Sequence, residues 1–157
     1  MIRIAKPEDL TTLAQIYRNS VQQLAPQLYS SEQVKAWSQA PDNWEYFQQF
    51  IFNPTTYLWE QEGEICGFCG LENNGHIASL YVAPQHTRKG IGTKLLKNVL
   101  HEGRKLDIKR YYTEASYLSK MVFERCGFVV YDEEYVKYGD VKFHRYKLEK
   151  LNNYLEK

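Results

Sequence analysis

Residues 87 to 93 read Thr-Arg-Lys-Gly-Ile-Gly-Thr. They follow an apolar, strand-like run, LYVAP, and open a helical run, TKLLKNVL. At a helix start the first backbone N–H groups lack intrahelical partners, and the helix dipole adds positive potential. Gly90 and Gly92 let a ligand approach that backbone, and Arg88 and Lys89 add charge. The chemistry offered is capture of a phosphate or pyrophosphate. G-x-x-x-x-G-K-[ST] is absent, so this is no Walker A loop. Three spaced glycines are also absent, and the loop follows an antiparallel meander, so it is no dinucleotide fingerprint. Spacing alone also allows the glycines to serve only a tight strand-to-helix joint.

Cys66 and Cys69 form a C-x-x-C, a spacing that can do redox chemistry or bind zinc. They fall inside EICGFCGLE, which reads as a strand, so the two side chains point to opposite faces. No helix start lowers a thiol pKa there. No second cysteine pair completes a zinc site, since Cys126 is the third and last cysteine. The expectation is three reduced thiols and no metal.

The elements that must position the loop follow from periodicity. Ile2 to Ala5 reads as a first strand. Residues 6 to 24 read as a helix with Leu10, Leu13, Ile16 and Tyr17 on one face and Pro7 in its first turn. YSSEQVKAW offers a serine cap and a short helix with Val34 and Trp37 on one side. A further helix runs from Pro41 and ends at Asn53-Pro54. TYLWEQ and EICGFCGLE flank Glu62-Gly63, a hairpin signal. Asn73-Asn74-Gly75 makes the next turn, before HIASLYVAP. Residues 56 to 83 thus form an antiparallel meander. GIGTKLLKNVLHEGRKL is helical, RYYTEAS a strand, and SYLSKMVFERCGF a helix closed by Gly127. Two last strands turn at Tyr138-Gly139-Asp140. The expected fold is α/β, a mixed sheet with helices on its faces.

Bulk composition excludes several classes. The chain has 157 residues, enough for one domain, 1–157, with a full core. A net charge of +1 gives no broad basic surface, so no nucleic acid is expected. No apolar run is long enough to span a bilayer, so no membrane partner is expected. MIRIAKPEDL carries charges where a signal peptide needs its apolar stretch, so a cytoplasmic location is expected.

Taken together, IRIAKPEDLTTLAQIY, GEICGFCGLE with IASLYVAPQHTRKGIGTKLL, YTEASYLSKMVFERCGF and the final strand pair resemble the GNAT superfamily of acetyl-CoA-dependent N-acetyltransferases. The resemblance covers nearly the whole chain. YSSEQVKAW further resembles a bacterial branch with Y-[ST]-x-E-Q-x-x-A-W before the sheet. The resemblance implies a mostly antiparallel sheet splayed in a V, with helices on both faces. It implies transfer of acetyl from acetyl-CoA to a primary amine of a small molecule or protein, by direct attack in a ternary complex. Many members dimerise, so a homodimer is open. A CoA-holding module without turnover is the alternative, as is an unrelated phosphate-binding domain.

The resemblance also implies residue roles. Arg88, Lys89, Gly90, Ile91, Gly92 and Thr93 would bind the CoA pyrophosphate, chiefly by backbone. Thr87 departs from the family's Gln or Arg at the first motif position. Leu80, Tyr81 and Val82 would run beside pantetheine, with an N–H near Val82 for the oxyanion. Ser116 matches a CoA-contacting Asn position, and Ser119 lies in the same S-x-x-S motif. His76 matches a glutamate base in several relatives, with Glu114 and Glu72 as rivals. Phe123 stands where the family usually has an acidic tyrosine and would pack near the thiol; Tyr117, Tyr131 and Tyr135 are other phenols. Trp37, Trp44 and Tyr46 could line the acceptor pocket or simply pack. Glu32, Glu133 or Glu134 could meet a cationic amine or face solvent.

Overall fold

Glu62 and Gly63 have positive φ values, 53° and 77°, as a two-residue hairpin turn demands. They join β2 (Thr55–Gln61) to β3 (Glu64–Leu71). The asparagine turn then leads into β4 (Ile77–Val82). With β1 (Ile2–Ile4) these strands form an antiparallel sheet ordered β1-β2-β3-β4. A second antiparallel sheet contains β5 (Arg110–Ala115), β6 (Val129–Tyr138) and β7 (Val141–Leu151), ordered β5-β7-β6. This computed structural model describes residues 1–152. The last five positions of the expected 1–157 domain lie outside the described residues.

The sheets meet at one end of β4 and β5. His76 and Tyr112 form an isolated parallel bridge, and Tyr112 N–H donates to Gly75 O at 3.1 Å. Thr113 Oγ1 donates to Ile77 O at 2.9 Å. Beyond these bonds the strands belong to separate sheets, so the expected V opens between them. Gly75 makes the junction possible. Its φ is +95°, and a Cβ there would stand 1.9 Å from Arg110 O. A larger residue would meet both strained backbone and a clash.

Helices cover both faces. α4 (Ile91–Lys105) buries Ile91, Leu95, Leu96 and Val99, in the spacing its sequence shows. Each such side chain stabilises the fold by roughly 1.5–3 kcal/mol relative to exposure. Leu95, Leu96 and Val99 join Leu71, Ile77, Tyr111 and Leu148 in one core. The second core packs α1 (Leu10–Leu24), α2 (Ser31–Ser38) and α3 (Trp44–Phe52) over Leu58 and Phe68.

Three boundaries differ from the sequence reading. Pro7–Asp9 is a separate 3-10 turn before α1. Asp9 holds it by accepting Lys6 N–H at 2.7 Å and pairing with Arg3. Pro41 lies in another 3-10 turn, and α3 starts at Trp44 because Asn43 Oδ1 accepts Tyr46 N–H. The helix expected across residues 116 to 128 is α5 (Lys120–Arg125) alone. Ser116 Oγ accepts the N–H groups of Leu118 and Ser119, a local turn that competes with helix.

Candidate active site

The opening between β4 and β5 is the floor of a cleft of about 690 Å³, within the range of small-molecule sites. Its first wall is the start of α4. Gly90 is the N-cap, with φ +74° and no side-chain cap. The first α-helical bond is Lys94 N–H to Gly90 O, at 3.0 Å. The N–H groups of Ile91, Gly92 and Thr93 therefore have no partner from the helix itself. Arg88 also has positive φ, 64°. A Cβ at Gly92 would meet only ordinary contacts, 3.5 Å to Val82 and 3.6 Å to Val122. The fold itself does not require glycine there.

β4 supplies the second wall. Its register slips between Gly70 and Leu71, leaving Ala78 as an extra residue, a β-bulge. Ala83 N–H donates to Cys66 O at 2.8 Å. This bond flanks the opposed pair Gly67 and Val82. Val82's own N–H and C=O therefore point away from β3, into the opening. Leu80, two residues back, has the same direction. The side chains alternate as well. Leu80 packs on the α4 core, whereas Tyr81 joins the α1 core. Tyr81 stacks on Phe68 at 5.4 Å and accepts Trp37 Nε1–H at 3.1 Å. Burial pushes its phenol up to about 12, so it stays neutral.

Such a bare helix start beside an unpaired strand edge suits a ligand with a pyrophosphate and an amide-bearing arm. Leu80, Tyr81, Val82, Arg88, Gly90, Ile91, Gly92, Thr93, Ser116, Ser119 and Phe123 all line the cleft. Lys89 is exposed and stands outside that lining. Thr87 turns inward, its Oγ1 donating to Pro84 O at 2.8 Å. Its hydroxyl is thus committed to the loop. Phe123 is 2% exposed and packs edge-on against Phe128.

At the closed end of the V, the three candidate bases converge. His76 Nδ1 lies 2.7 Å from Glu72 Oε1, and Nε2 lies 2.8 Å from Glu114 Oε1. All three line the cleft. Ionised carboxylates only accept, and a neutral imidazole has one N–H. Both contacts are hydrogen bonds only when His76 is protonated. Burial acts to lower the His76 pKa, but Glu114 and Glu72 outweigh it and the net direction is up. Burial likewise acts to raise Glu114, yet His76, Arg145 and Lys147 hold it below the usual carboxylate range.

The opposite half of the cleft is aromatic. YSSEQVKAW braces it. Ser30 and Gln33 form a capping box, and Gln33 Nε2 also donates to Lys142 O at 2.9 Å. Tyr29 Oη accepts Tyr117 N–H at 2.9 Å. Trp37 and Tyr46 line the cleft, as do Tyr17, Tyr29, Phe50 and Arg145, which sequence reasoning missed. Trp44 does not; it is 42% exposed and stacks on Phe47. Glu133 pairs with His144 and Glu134 with Arg145, and Glu32 is exposed, so none of the three stands free in the cleft to meet an amine. Tyr117 Oη shares a hydrogen bond with His144 Nδ1, while Tyr131 and Tyr135 are exposed. None of these three phenols lines the cleft. Arg125, at the end of α5, was also missed. Its only local signal was a basic residue in the last turn of a short helix.

All three cysteines are free and buried, and burial raises each thiol pKa. Among the described residues no group of three or more His, Cys, Asp or Glu is placed to hold a metal ion. No helix there is long and apolar enough to cross a membrane.

Residues 26–150 match the family described as Acetyltransferase (GNAT) domain, and the chain belongs to that family. It is an acyltransferase. The uncharacterized N-acetyltransferase YafP of Escherichia coli (strain K12) is 27% identical over 136 residues, 87% of this chain and 85% of that protein. A GCN5-related N-acetyltransferase from Rhodopseudomonas palustris superposes with a TM-score of 0.92 at 26% identity, covering 97% of this chain and 95% of its own. The PaiA N-acetyltransferase of Thermoplasma acidophilum, solved in complex with coenzyme A, gives 0.77 at 23% identity and shares the fold over 97% of this chain and 99% of its own.

Proposed function

We propose that one domain, residues 1–157, transfers acetyl from acetyl-CoA to a primary amine by direct attack in a ternary complex. Acetyl-CoA supplies the acyl group as a thioester. The free N–H groups of Ile91, Gly92 and Thr93 hold its pyrophosphate, with Arg88 and the hydroxyls of Ser116 and Ser119 alongside. Leu80 and Val82 bond the pantetheine arm through backbone. The Val82 N–H donates to the acyl oxygen as charge develops there, a kind of contact worth on the order of 3 kcal/mol in the barrier.

The observation that carries the reading is Glu72–His76–Glu114 at the apex of the V. Above its raised pKa, His76 is neutral; with its one N–H on Nδ1 toward Glu72, it takes the amine's proton at Nε2, directly or relayed by the neighbouring Glu114 carboxylate. The two carboxylates stabilise the imidazolium that results. Phe123 donates no proton, so the thiolate takes its proton from water. The branch-like YSSEQVKAW motif acts as the brace of the acceptor half. The work is placed in the cytoplasm.

Thermal melts with acetyl-CoA, CoA and ATP test this first. A native-state ligand at a hundred times its Kd adds about 2.7 kcal/mol. Acetyl-CoA and CoA should raise Tm, and ATP should not. Amine-dependent release of the CoA thiol then separates an enzyme from a module that merely holds CoA. No rise at millimolar acetyl-CoA sinks the reading.

A further inference from the structure

Glu114 stands opposite Lys147, and Glu134 opposite Arg145. Side chains alternate along strands, so Glu114, Lys147, Arg145 and Glu134 share one face of the second sheet. Glu114 and Arg145 both line the cleft. Arg145 Nη2 donates to Glu134 Oε1 at 2.6 Å, while its buried Nε–H has no partner among the described residues. A guanidinium carries five donors in a rigid fork. Glu134 anchors this fork without saturating it. Its charge reaches two parts of the cleft, lowering the pKa of Glu114 and acting in the same direction on the Tyr46 phenol. Beside it the cleft is lined by the rings of Phe50, Tyr138 and Phe143, with His144 and Gln49 as polar neighbours.

The cleft thus has a proton acceptor with two carboxylates, an anchored guanidinium on the same sheet face, and an aromatic wall. We infer that the acceptor is a free α-amino acid with an apolar side chain. Its carboxylate meets Arg145, its amino group meets Glu114 and His76, and its side chain lies on the aromatics. The inference rests on the acetyl-transfer reading above and names its acceptor. A planar guanidinium fork pairs bidentately with a carboxylate. A polyamine would instead set a second positive charge against Arg145, which selects against it.

The test compares acceptors that differ only by the carboxylate. Initial rates are measured with acetyl-CoA for L-phenylalanine against phenethylamine, and for L-leucine against isoamylamine. The wild-type protein should favour the amino acids in kcat/KM by about 10- to 100-fold, the range for a hydrogen-bonded charge. Arg145→Gln should collapse that ratio toward one. Equal or better turnover of the amines, better turnover of spermidine, or an unchanged ratio in Arg145→Gln overturns the inference. So does no turnover of either amino acid. The wild-type comparison stands even if the variant folds poorly. The Tm shift with acetyl-CoA separates the two levels. A shift without amino-acid turnover removes only this acceptor, whereas no shift removes acetyl transfer as well.

Discussion

His76 Nε2 stands 2.8 Å from Glu114 Oε1, across the place where the two sheets touch. The contact joins a residue of the turn before β4 to one of β5, 38 positions later. It sets the charge state of the cluster. Two carboxylates on one imidazole favour the imidazolium, so in the proposed reaction His76 must first lose a proton.

Activity should therefore rise with pH. The proposed base is neutral His76, whose pKa its two carboxylate neighbours raise, against the opposing effect of burial, above the ordinary imidazole value of 6.5. The kcat/KM profile should climb through an inflection above that value. Glu114→Gln removes one stabilising carboxylate and should move the inflection down. His76→Gln should lower kcat by about 100-fold or more and flatten the climb. A profile unchanged in His76→Gln would give the proton to water instead.

Stability carries the opposite sign. A folded-state pKa raised above the unfolded value gives stability that is complete below about 6.5. It is lost as pH rises through the folded pKa. Wild-type Tm should fall across that window more than the Tm of His76→Gln. Parallel melts from pH 5.5 to 9 check this (buffer range about that of the imidazole titration).

Gly92→Glu should abolish the acetyl-CoA shift and leave the fold intact. A Cβ there meets only contacts of 3.5 Å and beyond, and a carboxylate in a first helical turn is favourable to the helix. The same carboxylate would oppose a pyrophosphate. Retained CoA binding in a folded Gly92→Glu protein would remove the loop assignment.

Gly75→Ala should destabilise by roughly 2–4 kcal/mol, in the range of steric and backbone strain combined. The clash is with Arg110 O, in the neighbouring strand. Denaturant melts give the size. Gly63→Ala makes the control, since it has positive φ but nothing within 4 Å.

Thiol reagents should label the native protein slowly and the unfolded protein at three sites. Cys66, Cys69 and Cys126 are each buried, and their raised pKa values deprive the reagent of thiolate. Fast labelling of the native state would contradict that burial.

What the sequence made legible was local. The Glu62-Gly63 turn, the stripe of α4 and the glycines of the loop each announce themselves within a few residues. The candidate bases were legible as names but not as a group. Nothing local says that a turn residue, a strand end and β5 share one point. That depends on β5 docking against Gly75. Arg145 was invisible for a similar reason, since its place follows from the β6–β7 register. The length of α5 was misread because Ser116 spends its hydroxyl on a turn.

The alternation along β4 has one more consequence. Leu80 and Val82 face the α4 side, while Tyr81 faces the aromatic side. One strand is therefore a party wall between two rooms. In the proposed reading the room for the donor is walled largely by backbone, which changes little with side-chain identity. The room proposed for the acceptor is built from side chains packed ring on ring, Tyr17 against Tyr81 and Tyr29 against Trp37. In that reading a change of acceptor means repacking one side of the wall and leaves the donor's backbone side untouched.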